Sequence, residues 1–298
     1  MAIKLLFMNR NNVSITIFTP TYNRAHLLPR LYESLILLEN CDFEWVIVDD
    51  GSTDNTEELV KVFIKKAAFT ISYFKKSNEG KHMAINDGVR YASGELFFIV
   101  DSDDFLDAQA LNKIRENYKE IENHENIAGL GFLRKDQFDN FMVKSNVESG
   151  TACNILDFFY KYKSSGEIVF VLKTKILKKY PFPSYKNERF CKESLIWNRI
   201  SGPYKILFIN EVIYYGEYLD SGLTSEGWLK IIKNPQYSML SFQELACAKI
   251  PYKDRYQATE NFWKVASFKK LLFYKLIFKI PFLLSFRFFL NFIKKNIK

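Results

Sequence analysis

Asp101, Asp103 and Asp104 crowd three carboxylates onto the turn that ends the apolar run Leu96-Phe97-Phe98-Ile99-Val100. Ionised carboxylates this close repel one another unless a cation lies among them. Hard divalent ions, Mg²⁺ or Mn²⁺, take oxygen ligands and are commonly held by one or two carboxylates together with substrate phosphates. The other reading is a solvated acidic turn capping the helix that follows, where Asp is frequent. The run before the cluster is short, rich in aromatic and β-branched residues, and preceded by Ser93-Gly94. It predicts a buried strand.

The elements around it repeat that pattern. Val13–Phe18 reads as a first strand and ends in Thr19-Pro20-Thr21-Tyr22-Asn23-Arg24; a helical spacing follows through Leu27, Leu31, Leu35 and Leu38. Glu44–Val48 is a second strand ending at Asp49-Asp50-Gly51-Ser52. Asn55–Lys66 is helical, Thr70–Phe74 extended, His82–Tyr91 helical, and Ala108–Ile121 the helix after the acidic cluster. Strands alternating with helices of this length predict a parallel sheet covered on both faces. Ligands of such sheets bind beyond the carboxyl ends of the strands, where all three polar clusters fall. After residue 125 the pattern loosens. Strands are expected at Ile127–Leu133, Ile168–Leu172 and Ile206–Tyr215, and a helix at Ser194–Ile200, as an acceptor-side elaboration of the same domain.

The order of these motifs, with Asn78-Glu79-Gly80-Lys81-His82 between the second and the last, resembles glycosyltransferase family 2, whose catalytic domain has the GT-A fold. The resemblance is close over residues 13–125 and looser over 126–225. It implies an α/β GT-A domain over 1–225, with a nucleotide-sugar-binding half (1–125) and an acceptor half (126–225), and a helical region over 226–298. It implies that Pro20, Tyr22 and Arg24 border the nucleotide, Tyr22 lining the base with an aromatic face. Asp50 then accepts a hydrogen bond from uracil, which favours a UDP-linked donor. Lys81 lies near the diphosphate, where a cation is useful. Asp103 stands near the ribose, Asp104 is the metal ligand, and Asp101 supports both. His82 matches no catalytic position and reads as structural.

Sugar transfer also needs a base for the acceptor hydroxyl. Family members carry a Glu-Asp pair at the start of a helix in the second half. The matching segment here is Glu188-Arg189-Phe190-Cys191-Lys192-Glu193-Ser194, with Ser194 where the Asp often stands. Glu193 is therefore the expected base and Glu188 the fallback. Glu193 also reads as a favourable charge at a helix start.

Composition sets the frame. With 48% hydrophobic and 26% charged residues, the 298-residue chain is of the globular kind, long enough for a large core. Cys41, Cys153, Cys191 and Cys247 match no zinc spacing and read as free thiols in a reducing compartment. No run reaches the ~18 apolar residues of a spanning helix. The net charge of +8 is uneven, because residues 262–298 hold nine Lys and Arg and no Asp or Glu, leaving residues 1–261 at −1. That tail mixes basic residues with Phe, Trp, Leu and Ile, and Pro281 should break it into two helices. Such a pattern suits a helix lying on an anionic membrane surface. Packing on the catalytic domain or on a second subunit, as in a homodimer, is the alternative. The aliphatic bulk argues against nucleic acid.

Together these features predict a metal-dependent (Mn²⁺ or Mg²⁺) transferase on the cytoplasmic face of the plasma membrane. It would move a sugar, with inversion, from a UDP-sugar to a lipid-linked glycan of capsule, lipopolysaccharide or exopolysaccharide assembly. Two rivals stand beside this expectation: a haloacid-dehalogenase-type phosphohydrolase, which also places Asp-x-Asp after an apolar strand, and a non-catalytic membrane scaffold.

Overall fold

A computed structural model describes residues 14–39, 41–216, 227–271 and 276–296. The first half alternates as the spacing predicts: β1 (Ile15–Thr21), α1 (Leu28–Ile36), β2 (Phe43–Asp49), α2 (Thr56–Lys66), β3 (Thr70–Lys75), α3 (Lys81–Tyr91), β4 (Leu96–Ile99), β5 (Phe105–Leu106) and α4 (Ala110–Tyr118). Val13, expected to begin the first strand, lies outside the described residues. The expected helix over Ala108–Ile121 is shorter at both ends. It closes at Tyr118, and the buried Lys173 holds the turns beyond, donating to the carbonyls of Ile121 and His124 at 2.8 and 2.9 Å.

The second half adds β6 (Ile127–Asp136), β7 (Val143–Lys144), β8 (Thr151–Cys153), β9 (Ser165–Gly166), β10 (Val169–Lys173), α5 (Thr174–Leu177), α6 (Ser194–Ser201) and β11 (Lys205–Gly216). The main sheet runs β3-β2-β1-β4-β10-β6-β11-β5, with β8 also on β11. The first four strands are parallel; β10 is antiparallel to both neighbours, and β11 runs parallel to β6. Ile206–Tyr215, expected as one or two strands, is a single long strand whose register on β6 slips near Ile209 and Val212. Those irregularities bend it so that its end also pairs with β5, just past the acidic cluster.

Chain order reverses between β1 and β4. That places a crevice beyond their carboxyl ends, between Thr21 and Asp101. Trp45, Ile47, Phe98 and Leu31 bury one face of the sheet; Phe18, Phe97, Ile85 and Ile196 bury the other. Helix α3 lies so close to β1 that a methyl group on Gly88 would stand 2.2 Å from the Phe18 ring.

Among the described residues four α-helices follow the sheet: α7 (Gly227–Lys233), α8 (Pro235–Cys247), α9 (Tyr252–Phe268) and α10 (Phe282–Asn296). The tail was expected to lie on a membrane surface, with packing within the protein as the alternative, and part of its apolar set packs inward. Phe262, Trp263, Val265, Ala266, Leu276, Ile280 and Leu284 are buried with Met239, Ala246 and Ala258 in a third core. The reason is periodicity: α9 began ten residues before the basic segment, and its inward stripe continues through position 266. The first tail helix stops at Phe268 rather than running on towards Pro281, and α10 begins directly after that proline. What remains outward is a smaller set: Phe278, Phe282, Leu283, Phe286, Leu290 and Phe292, with Lys279 and Arg287 among them.

Candidate active site

The three acidic side chains converge. One carboxylate oxygen from each of Asp101, Asp103 and Asp104 lies within 4.8 Å of the others. Asp104 is buried, and its carboxylate accepts hydrogen bonds from the Tyr214 hydroxyl at 2.5 Å and from Arg134 at 3.5 Å. The Tyr214 oxygen in turn accepts the Asp101 N–H at 3.1 Å. Burial, together with Asp101 and despite Arg134, pushes the Asp104 carboxyl up to about 7. Burial and the Asp101 charge also raise Asp103. Three converging oxygen donors, of which Asp103 and Asp104 have their ionisation held back by burial and by the Asp101 charge, fit a hard divalent cation, which would relieve both strains.

Tyr214 and Arg134, the supports of this cluster, were missed in the sequence. They come from β11 and β6, 110 and 30 residues from Asp104. The one available signal was Arg134, a cation directly after the apolar run of β6.

Around the crevice the motif residues fall as follows. Pro20 is buried at the end of β1, and Tyr22 stands half exposed just beyond it. Arg24 is near enough to lower the Asp103 carboxyl. Asn23 sits at φ 52°, and its side-chain oxygen accepts the Thr53 N–H at 2.8 Å, joining the first two motif loops. The Asp50 carboxylate is buried and receives the N–H groups of Glu79 (2.9 Å) and Gly80 (2.7 Å). Its pKa is raised by burial, against those two bonds. Asp50 thus fixes the loop that begins α3.

Lys81 opens that helix and joins the two halves of the site. Its ammonium lies 2.7 Å from Asp101 and 2.7 Å from Glu193, the residue just ahead of α6. Burial works against its charge, but these two carboxylates outweigh it and hold it protonated. Asp101 and Glu193 are therefore no farther apart than two short ion pairs laid end to end. Glu188, the fallback base, is elsewhere. It is buried and accepts the N–H groups of Gln236 and Tyr237, neutralising the start of α8.

His82 is buried. The Tyr237 hydroxyl gives its hydrogen to Pro183 O at 2.8 Å, so it accepts from Tyr185 N–H and from His82 Nε2–H at 2.8 Å. Desolvation lowers the His82 pKa to about 4, so the ring is neutral at ordinary pH. An apolar cleft of about 340 Å³ adjoins this region, lined by Ile85, one turn beyond Lys81, by Ile196 and Trp197, one turn beyond Glu193, and by Tyr180 and Phe182.

Known proteins resemble this chain in sequence and in fold. The family model described as glycosyl transferase family 2 matches residues 16–175. An uncharacterised glycosyltransferase of Mycoplasma pneumoniae is 36% identical over 34% of this chain and 36% of its own length. A Campylobacter jejuni protein named GalNAc(5)-diNAcBac-PP-undecaprenol beta-1,3-glucosyltransferase is 28% identical over 61% of this chain and 58% of its own. Five relatives from Mycoplasma, Rickettsia and Nostoc are matched over only 14–36% of their length. Among solved structures, Staphylococcus aureus TarS 1-349 in complex with UDP-GlcNAc superposes with a TM-score of 0.59 at 20% identity, over 90% of this chain and 76% of that one. At that identity the likeness carries the fold.

Proposed function

Since the chain belongs to glycosyltransferase family 2 and has the GT-A fold, we propose that this glycosyltransferase transfers a sugar from a UDP-linked donor to a hydroxyl of a lipid-linked glycan, with inversion and with Mn²⁺ or Mg²⁺. The observation that carries the reading is the Lys81 bridge, which sets a carboxylate base opposite the acidic cluster. Pro20, Tyr22, Arg24 and Asp50 border the nucleoside, and Asp103 the ribose. Asp101, Asp103 and Asp104 would hold the cation, which when bound would supply positive charge against the departing diphosphate. Lys81 holds the Glu193 carboxylate by an ion pair. Glu193 takes the proton of the acceptor hydroxyl as its oxygen bonds to the sugar C1 and the C1–O bond to UDP breaks on the opposite face. The cleft beside Trp197 receives the acceptor, since aromatic faces suit sugar rings.

The printed name of the Campylobacter relative includes a polyprenyl diphosphate, which supports a lipid-linked acceptor. The protein sits on the cytoplasmic face of a membrane in this reading, and the outward residues of α10 support the membrane contact. Among the described residues no helix is long and apolar enough to cross one.

The test is thermal stabilisation by a panel of nucleotide sugars, with and without Mn²⁺. Metal-dependent stabilisation by a UDP-sugar is expected. Its absence for every nucleotide sugar would favour the scaffold reading, and turnover of simple phosphomonoesters the phosphohydrolase.

A further inference from the structure

The position of Glu193 is not explained by its own helix. Helix α6 has eight residues and no side-chain cap at its start, and the Lys81–Glu193 pair is partly exposed to water. Ion pairs of that kind are worth little by themselves. The fixing contacts come from α8 instead. Arg199, on α6, meets Glu244, on α8, through three hydrogen bonds of 2.7–3.1 Å. Asn234, at the start of α8, accepts the N–H groups of Arg189 and Phe190, which lead into α6. Glu188 caps α8 in return. On the other flank, Tyr237 holds His82, the residue after Lys81. The two flanks touch: Gly80, at φ +97°, lies where any Cβ would come within 2.0 Å of Arg189 O.

We propose that α8 is a brace for the transfer reaction, with Glu244, Asn234 and Tyr237 as positioning residues that set the gap between Lys81 and Glu193. None of the three is aimed at the acidic cluster; each acts through the residues it holds. The proposal rests on the reading of Glu193 as the base. A displacement of about 1 Å at a reacting group can cost on the order of 10²-fold in rate, so a loosened brace shows in turnover before it shows in donor binding.

The experiment uses the full chain and four variants: Glu244→Gln, Tyr237→Phe, the exchanged pair Arg199→Glu with Glu244→Arg, and Glu193→Gln. Transfer kcat, donor Kd and the melting temperature are measured for each. The expected result is a kcat about tenfold lower or worse for Glu244→Gln and Tyr237→Phe. Donor Kd stays within about twofold and the loss exceeds any loss of folded protein, while the exchanged pair recovers most of the rate. Wild-type kcat in Glu244→Gln and Tyr237→Phe, with Glu193→Gln inactive, overturns the brace and leaves the base assignment standing. Parallel losses of kcat and donor Kd also overturn it, since they mark a general structural role. A fully active Glu193→Gln removes the base assignment and the brace with it.

Discussion

At the scale of single residues the site divides into groups the sequence displays and groups it hides. The acidic cluster, Asp50, Lys81 and Glu193 were legible because each sits at the end or start of a periodic element. Tyr214 and Arg134 were not, because only the sheet brings β11 and β6 beside Asp104. Glu193 and Glu188 were likewise told apart only by where α8 begins, because the Gln236 and Tyr237 N–H groups occupy the Glu188 carboxylate and Glu193 is the base proposed above. Asp104→Ala is expected to abolish transfer in a folded protein, and excess chelator to abolish it in the wild type; full transfer under either condition would remove the cation from the reading. For Glu193→Gln, turnover should fall about 10²–10⁴-fold with donor affinity nearly unchanged, as single-turnover and binding measurements would show. His82 gives a pH prediction. Its folded pKa of about 4 lies below the ordinary value near 6.5, because burial and Lys76 disfavour the charged ring while Glu79 only partly opposes them. Above 6.5 both states are neutral and His82 contributes nothing to the pH dependence. Below it the unfolded chain takes the proton and the folded one does not, so stability falls until about pH 4. Urea unfolding should show about 2 kcal/mol less stability at pH 5 than at pH 7 from this group, and His82→Gln should lose that share of the difference.

At the scale of elements the first half of the fold follows from period alone. The strand-helix alternation through α4 is regular, and each turn residue has a local task. The second half resisted reading because its strands are ordered by partners far away: β10 inserts between β4 and β6, and the two-residue strands β5, β7 and β9 have no period to detect. Close packing between layers was also hidden, since nothing around Gly88 announces that it faces Phe18. Gly88→Ala forces α3 off β1 and should cost about 1–3 kcal/mol as an overpacked core position. It also shifts Lys81 at the head of that helix, so activity should drop along with the melting temperature. Equal stability in the variant would show that α3 has room the packing does not display.

For the whole molecule, the uneven charge and the two-sided tail act together. The sequence showed the basic, apolar tail, but one sequence cannot say which face turns inward; α9 takes the inner one. Replacing the outward Phe282, Leu283 and Phe286 by Ser leaves the third core intact and should weaken binding to anionic vesicles by more than about a hundredfold. High salt should remove part of the remaining affinity, from Lys279 and Arg287. Unchanged vesicle binding would refute the membrane seat, and a concentration-dependent loss of dimer in the same variant would assign that face to a second copy. The interlock between Glu188 and the start of α8 has a further consequence, for the order in which the protein is made. Translation delivers Lys81 and Glu193 well before Gln236 and Tyr237 exist. Until α8 leaves the ribosome, the Glu188 carboxylate has no N–H partners, and the apolar surface around Phe182 and Cys191 lacks its cover from Tyr237. The nascent chain therefore carries an open flank beside Lys81 and Glu193, and that flank closes only after residues 235–247 have been made.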